Sequence, residues 1–242
     1  GMGLLLGIAP GLTAMQLATV IATRWFTARQ GLVLGILNGA VATGTLVFMP
    51  LAAWVAQEWG WSMALALPTM GSVICWLLFV WLARDRPHEL NLPLYGENQI
   101  QPLQKLGHAN FVQLTVKALT LGVRSKLFWI LSISFAICGI SSFGLTQAHL
   151  VPFCGDLGVA LTSAAWLLTV IGICDLIGTI GSGWLSDRFD NRWLLVMYYG
   201  LRGIGLIWLV QADVSMAALT LFAVIYGLDF IATVPPTVRL TV

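Results

Sequence analysis

Charge is scarce in this sequence. Lys, Arg, Asp and Glu make up 9% of its 242 residues, against about 25% in an ordinary soluble domain. Twelve basic and ten acidic side chains leave a formal charge of +2, so no strong field points to a nucleic acid or an acidic partner. Cys75, Cys138, Cys154 and Cys174 show no Cys-x-x-Cys spacing. That excludes a secreted disulfide scaffold and leaves them as small core residues. His88, His108 and His149 have no metal-ligand spacing, and no phosphate-cradling glycine loop ending in Lys occurs. No metal, cofactor or enzymatic chemistry is implied. Lys105, Lys117 and Lys126 all lie between the apolar runs, so a seven-helix retinal sensor would lack its Schiff-base lysine.

Apolar surface is what the chain has in abundance. Hydrophobic residues reach 58%, with 11 Trp and 11 Phe, and the mean hydropathy is +0.88. A soluble surface cannot be made from this composition. Seven runs are long enough for the roughly 20 apolar residues that a bilayer core demands: Met2–Ala22, Gly31–Ala56, Trp61–Ala83, Leu127–Phe153, Leu161–Trp184, Trp193–Val210 and Ser215–Thr237. They do not alternate as barrel strands would. Backbone groups in lipid must be satisfied within their own segment, so the spans are helices. The expected class is an all-α, polytopic membrane protein.

Basic residues orient the spans. Every Lys and Arg except Arg202 falls in loops 24–29, 84–126 and 188–192 or follows the last span as Arg239, all on one side of a weaving chain. The opposite loops hold Glu58, Asp156 and Asp213. The basic side is expected to be cytoplasmic. Segment 84–126 carries Pro87, Pro93 and Pro102 and a modest helical run from Phe111 to Val123, readable as a surface-lying or a solvated linker helix.

One loop carries a signature. Gly183-Trp184-Leu185-Ser186-Asp187-Arg188-Phe189-Asp190-Asn191-Arg192 resembles the G-x-L-a-D-R-x-G-R-[KR] motif of the major facilitator superfamily, which recurs after the second and eighth of twelve helices. Gly183, Asp187, Arg188 and Arg192 match it, while Asp190 and Asn191 replace a Gly and a basic residue. In that motif Gly allows close helix contact, and the Asp is expected to cap the next helix and face cations. Arg24 to Gly31, then Gly35, Gly39, Gly44, Pro50 and Gly60-Trp61, are similar to helices four to six of the same superfamily. The branch of monocarboxylate transporters and oxalate/formate antiporters is nearest. Gly139, His149, Asp175 and Tyr226-Gly227-Leu228-Asp229 also resemble that branch.

The resemblance implies that the seven spans are helices four to ten of a twelve-helix fold, with helices one to three and eleven to twelve outside the chain. It divides the chain into the end of an N-terminal bundle (1–83), a central cytoplasmic linker (84–126) and the start of a C-terminal bundle (127–242). It also implies secondary transport of a small organic solute, a carboxylate-like anion, coupled to protons. A bacterial inner membrane is the expected location, with no obligate protein partner. The alternatives within the fold are an exporter of hydrophobic compounds and a uniporter.

Polar groups inside the membrane are the candidates for that work. Asp175 lies nine residues from Trp184, Arg202 nine from Trp193, and Asp229 ten from Arg239. At about 1.5 Å per residue each sits roughly 13–15 Å deep in a core about 30 Å thick. One carboxylate can pair with Arg202, and the other could take up and release a proton. A short turn joins the fifth and sixth spans, so Asp175 is the expected partner. Monocarboxylate transporters place an Asp-x-x-x-Arg pair in helix eight. The Asp is matched by Asp175, which resemblance therefore singles out for coupling, but the Arg position holds Thr179. His149 and Gln147 near the outer end of the fourth span, and Asn38 in the second, complete the candidate pathway, although a histidine there is as readily an interfacial one and an Asn an interhelical bond.

Overall fold

The computed structural model describes residues 17–82, 84, 87, 92–97, 111–211 and 215–241. Most of the first expected span, Met2–Ala22, and the linker residues 98–110 lie outside them. Helix is the dominant structure, and the described residues contain no strand beyond an isolated bridge between Phe26 and Tyr95. Residues 17–25 form α1. They are followed by α2 (Gln30–Trp59), α3 (Trp61–Leu82), α4 (Phe111–Arg124), α5 (Lys126–Gly139), a π-helical stretch (Ile140–Gln147), α6 (Ala148–Asp156), α7 (Leu161–Ser186), α8 (Asn191–Gln211), α9 (Met216–Leu228) and α10 (Val234–Arg239). Among the described residues, five helical segments are long and apolar enough to cross a bilayer: Gln30–Phe48, Trp61–Leu82, Lys126–Thr146, Ser163–Ser186 and Asn191–Gln211.

Two compact units emerge, one of residues 1–100 with 167–242 and one of residues 101–166. In the first, the N-terminus of α2 follows a tight loop in which Arg29 adopts a left-handed φ of 58°. The linker residue Tyr95 docks there, accepting from Thr27 N–H (3.0 Å) and Ala28 N–H (3.1 Å) and donating to the Trp25 carbonyl (2.9 Å). Gly60 turns the chain between α2 and α3 at φ 84°, a conformation that costs other residues energy. No residue of α3 is buried, and its surface is apolar all round, as a lipid-facing helix can be.

In the second unit, α5, the π-helical stretch and α6 run on as one helical path from 126 to 156. The widened turns free carbonyls from the regular ladder. Thr146 Oγ1 donates to the Ser141 carbonyl (3.2 Å), and His149 Nδ1 lies 2.7 Å from the Gly144 carbonyl oxygen.

The seventh expected span departs from a single helix. It ends as α9 at Leu228, passes through turns at 229–233 and resumes as α10. Pro235 and Pro236 explain the break. They occupy the first turn of α10, where a missing N–H is harmless. In an unbroken helix they would deny partners to the carbonyls of Ile231 and Ala232. Ile231 and Ala232 are buried, and buried backbone groups need other partners.

Candidate functional site

The broken span and the buried charges form one construction. Arg202 reaches from α8 with its Nε 2.8 Å from Asp229 Oδ2. It also donates to the Asp229 carbonyl and to the Phe230 carbonyl at 3.0 Å. Asp175, on α7, accepts from Ile231 N–H (3.0 Å) and from Thr179 Oγ1 (3.0 Å) with its Oδ1. Ser182, one turn further along α7, donates to the Ala232 carbonyl that Pro236 cannot serve. Three carbonyls and one N–H left open by the break are therefore served by side chains of α7 and α8. Asp175, Arg202 and Asp229 are each 4% exposed, and Thr179 is fully buried.

This corrects the expected pairing. The ion pair that forms joins Arg202 to Asp229, although Arg202 also acts on Asp175 electrostatically and the two carboxylates repel each other. The reason lies in the break: it collects carbonyls beside Asp229, and a guanidinium with five donors can serve them and a carboxylate together. Asp175 instead accepts the buried Ile231 N–H that the break leaves open. Thr179 proves to be that carboxylate's hydrogen-bond donor.

Glycine permits the close packing that holds α7 in place. A Cβ on Gly178 would overlap the Leu228 carbonyl oxygen of α9. Towards the other end of α7, a Cβ on Gly183 would overlap the Gly31 carbonyl oxygen, and one on Gly31 the Gly183 oxygen. Here α2 and α7 meet backbone to backbone.

The signature loop exploits this contact. Asp187 accepts from Gly31 N–H (2.8 Å) and Leu32 N–H (2.9 Å), the open donors at the N-terminus of α2, where the helix dipole favours an anion. Arg239 closes the arrangement with an ion pair to Asp187 and a bond to the Ser186 carbonyl (3.3 Å). The expectation that Asp187 caps the following helix is therefore corrected: it caps α2. Asp190 serves α8 instead, accepting from Arg192 N–H at 2.9 Å, and Asn191 Oδ1 accepts from Ser186 Oγ at 2.6 Å. The two departures from the motif are thus used locally. Arg188 lies over the Trp184 ring, 4.0 Å from its centroid, while Arg192 is exposed.

The remaining candidates stand elsewhere. Asn38 is buried, and its amide donates to the Leu34 carbonyl within α2 (2.8 Å), not to another helix. His149 is exposed and bonded within its own helical path. Gln147 closes the π-helical stretch, and its side chain lies outside the described set. Sequence reasoning missed Ser182, Tyr198, which hydrogen-bonds Ser182, and the role of Arg239. The signal was there in Pro235-Pro236, since two prolines in an apolar span oblige neighbouring helices to supply polar groups.

The sequence profile of the Major Facilitator Superfamily matches residues 1–242. Monocarboxylate transporter 13 of Bos taurus is 30% identical over 228 residues, covering 90% of this chain and 47% of that protein. Monocarboxylate transporter 12 of Xenopus laevis is 29% identical over 200 residues (76% and 42%). The membrane sensor protein UhpC of Escherichia coli is 24% identical over 189 residues (75% and 43%). The chain spans about half the length of the curated relatives it matches.

Proposed function

The chain belongs to the major facilitator superfamily, and on that premise we propose that it forms part of a secondary carrier for a small organic anion, driven by a proton gradient. The observation that carries this reading is the mid-membrane layer of Asp175, Arg202 and Asp229, two acidic groups and one basic group buried together. Charges at that depth are expensive and mark ion and substrate paths. Two carboxylates facing one guanidinium leave room for one exchangeable proton. The relatives named monocarboxylate transporters support a carboxylate as the cargo.

In this reading residues 1–83 end one six-helix bundle, 84–126 link the two, and 127–242 begin the other. The basic loops face the cytoplasm. The contact of α2 with α7, fastened by Asp187, then joins one bundle to the other at the cytoplasmic side. A carrier alternates access by rocking one bundle on the other, so this contact closes the inner gate in one state and opens in the next.

The test is uptake of radiolabelled lactate and pyruvate by proteoliposomes holding the full-length protein, with and without an imposed pH gradient. Accumulation that a protonophore collapses is the expected result. Uptake indifferent to the gradient would favour a uniporter. Binding without uptake would favour the sensing role that the name of the E. coli relative carries.

A further inference from the structure

Helix α4 meets the apolar span Lys126–Thr146 through a single residue, Ser125. Its extended backbone (φ −87°, ψ 128°) ends one helix and starts the next. The corner is fastened by side chains of α5. Trp129 Nε1, in the first turn of α5, donates to the Val123 carbonyl at 2.9 Å. Ser125 N–H donates to the Gly122 carbonyl at 2.8 Å, and the Phe128 ring packs so near Gly122 that a Cβ there would stand 3.3 Å from it. Both carbonyls are among those that the end of α4 leaves open. Lys and Trp at the start of a span mark the boundary between membrane and water. With Lys126 and Trp129 there, the last turn of α4 lies at the same level.

Two kinds of surface run along α4. Gln113, Lys117, Thr120 and Arg124 recur every three or four residues and make one polar strip. Val116, Leu119 and Val123 make an apolar strip beside it, and Leu121 lies on the other flank. These four apolar side chains are between 50% and 62% exposed. Contiguous apolar surface left open in this way marks an interaction site. Charge indicates the partner. From residue 98 to residue 155 the sequence holds Lys105, Lys117, Arg124 and Lys126 and no acidic side chain.

We propose that α4 is a docking surface for anionic phospholipids of the membrane that α5 enters. The apolar strips sink among the acyl chains, while Lys117, Arg124 and Lys126 meet phosphate headgroups. The proposal needs only that the chain spans a bilayer, so it stands apart from the carrier reading.

The experiment places one fluorophore on a cysteine at Leu119 of the full-length protein, otherwise without reactive cysteine, in lipid vesicles. Quenching by phosphatidylglycerol with a spin-labelled acyl chain is compared with quenching by phosphatidylcholine labelled in the same way. The anionic lipid should quench more strongly. The ratio of the two association constants should fall about fivefold for each charge removed in Lys117→Gln and Arg124→Gln, as about 1 kcal/mol per cation requires. Added salt should lower the same ratio. Equal quenching by the two lipids overturns the anionic preference. Quenching by neither overturns the docking surface itself. Iodide reaching the label would then show a solvated helix, and a label shielded from iodide would show cover by another part of the protein. Lactate uptake by the same vesicles reads the carrier proposal separately, so either can fail alone.

Discussion

Two aspartates twelve residues apart, Asp175 within α7 and Asp187 just past its end, accept backbone N–H groups, the first from the turns between α9 and α10 and the second from the start of α2, and each stands near an arginine. At Asp175 everything is sealed: the carboxylate and Arg202 are both 4% exposed. At Asp187 solvent enters, with side-chain exposures of 14% for the aspartate and 29% for Arg239. The same chemistry therefore does different work. A sealed charge must keep its partners, because losing one strands the other without water. A charge that water can reach gains only modestly from its partner, so its contacts can open and close at little cost. The deep site braces a broken helix, and the shallow one is suited to act as a latch.

Removing the deep cation should break the comparison most visibly. Arg202→Ala leaves Asp229 and two carbonyls unserved and should destabilise the protein by about 3–5 kcal/mol, read as lost folded yield and a lower melting temperature in detergent. The pairing has its own test. Asp229→Asn should restore yield to Arg202→Gln more fully than Asp175→Asn does, and the reverse order would put Asp175 back as the partner.

Next in size is Gly183→Ala. Its methyl would overlap the backbone of α2, and overpacking of this kind costs about 1–3 kcal/mol. The upper end applies, since backbone yields less readily than side chains. A disulfide between cysteines introduced at Leu32 and Arg188 should form more slowly in this variant if α2 and α7 separate. An unchanged rate would show that the close contact is not needed.

Asp187→Asn sharpens the contrast. It keeps one acceptor but loses the charge, at about 1.5 kcal/mol, the low end for bonds to charged groups. Folding should survive while the latch opens more often. A cysteine at Leu185 should then react with a maleimide about tenfold faster, the ratio that about 1.4 kcal/mol gives. No acceleration would reduce Asp187 to a static cap.

The smallest effect belongs to Arg239→Gln, worth less than about 1 kcal/mol for a partly exposed pair. Its influence on the labelling rate should fade as salt is added. Persistence at high salt would mean that the pair behaves as a buried one.

Much of this was legible beforehand. The apolar runs became α2, α3, α5 to α6, α7 and α8 nearly at their expected bounds. Asp175, Arg202 and Asp229 do lie together, because depth in a helix follows from counting residues. The helical run from Phe111 is present as α4. The latch was half legible: Gly183 and Asp187 stood out as a motif, but Arg239 could not be tied to them across fifty residues of chain.

The sequence alone determined composition, helical class, the positions of five spans and family, since each depends on local chemistry: apolar length and a contiguous motif. Tertiary structure decided which carboxylate meets Arg202, which helix Asp187 caps, and why Ser182 is polar. Those outcomes depend on how each helix is rotated about its axis and on which backbone groups a proline pair leaves open. Depth is a one-dimensional property of the chain. Partnership across helices is set by rotation and close approach, and here by glycines that let α7 reach both α2 and α9.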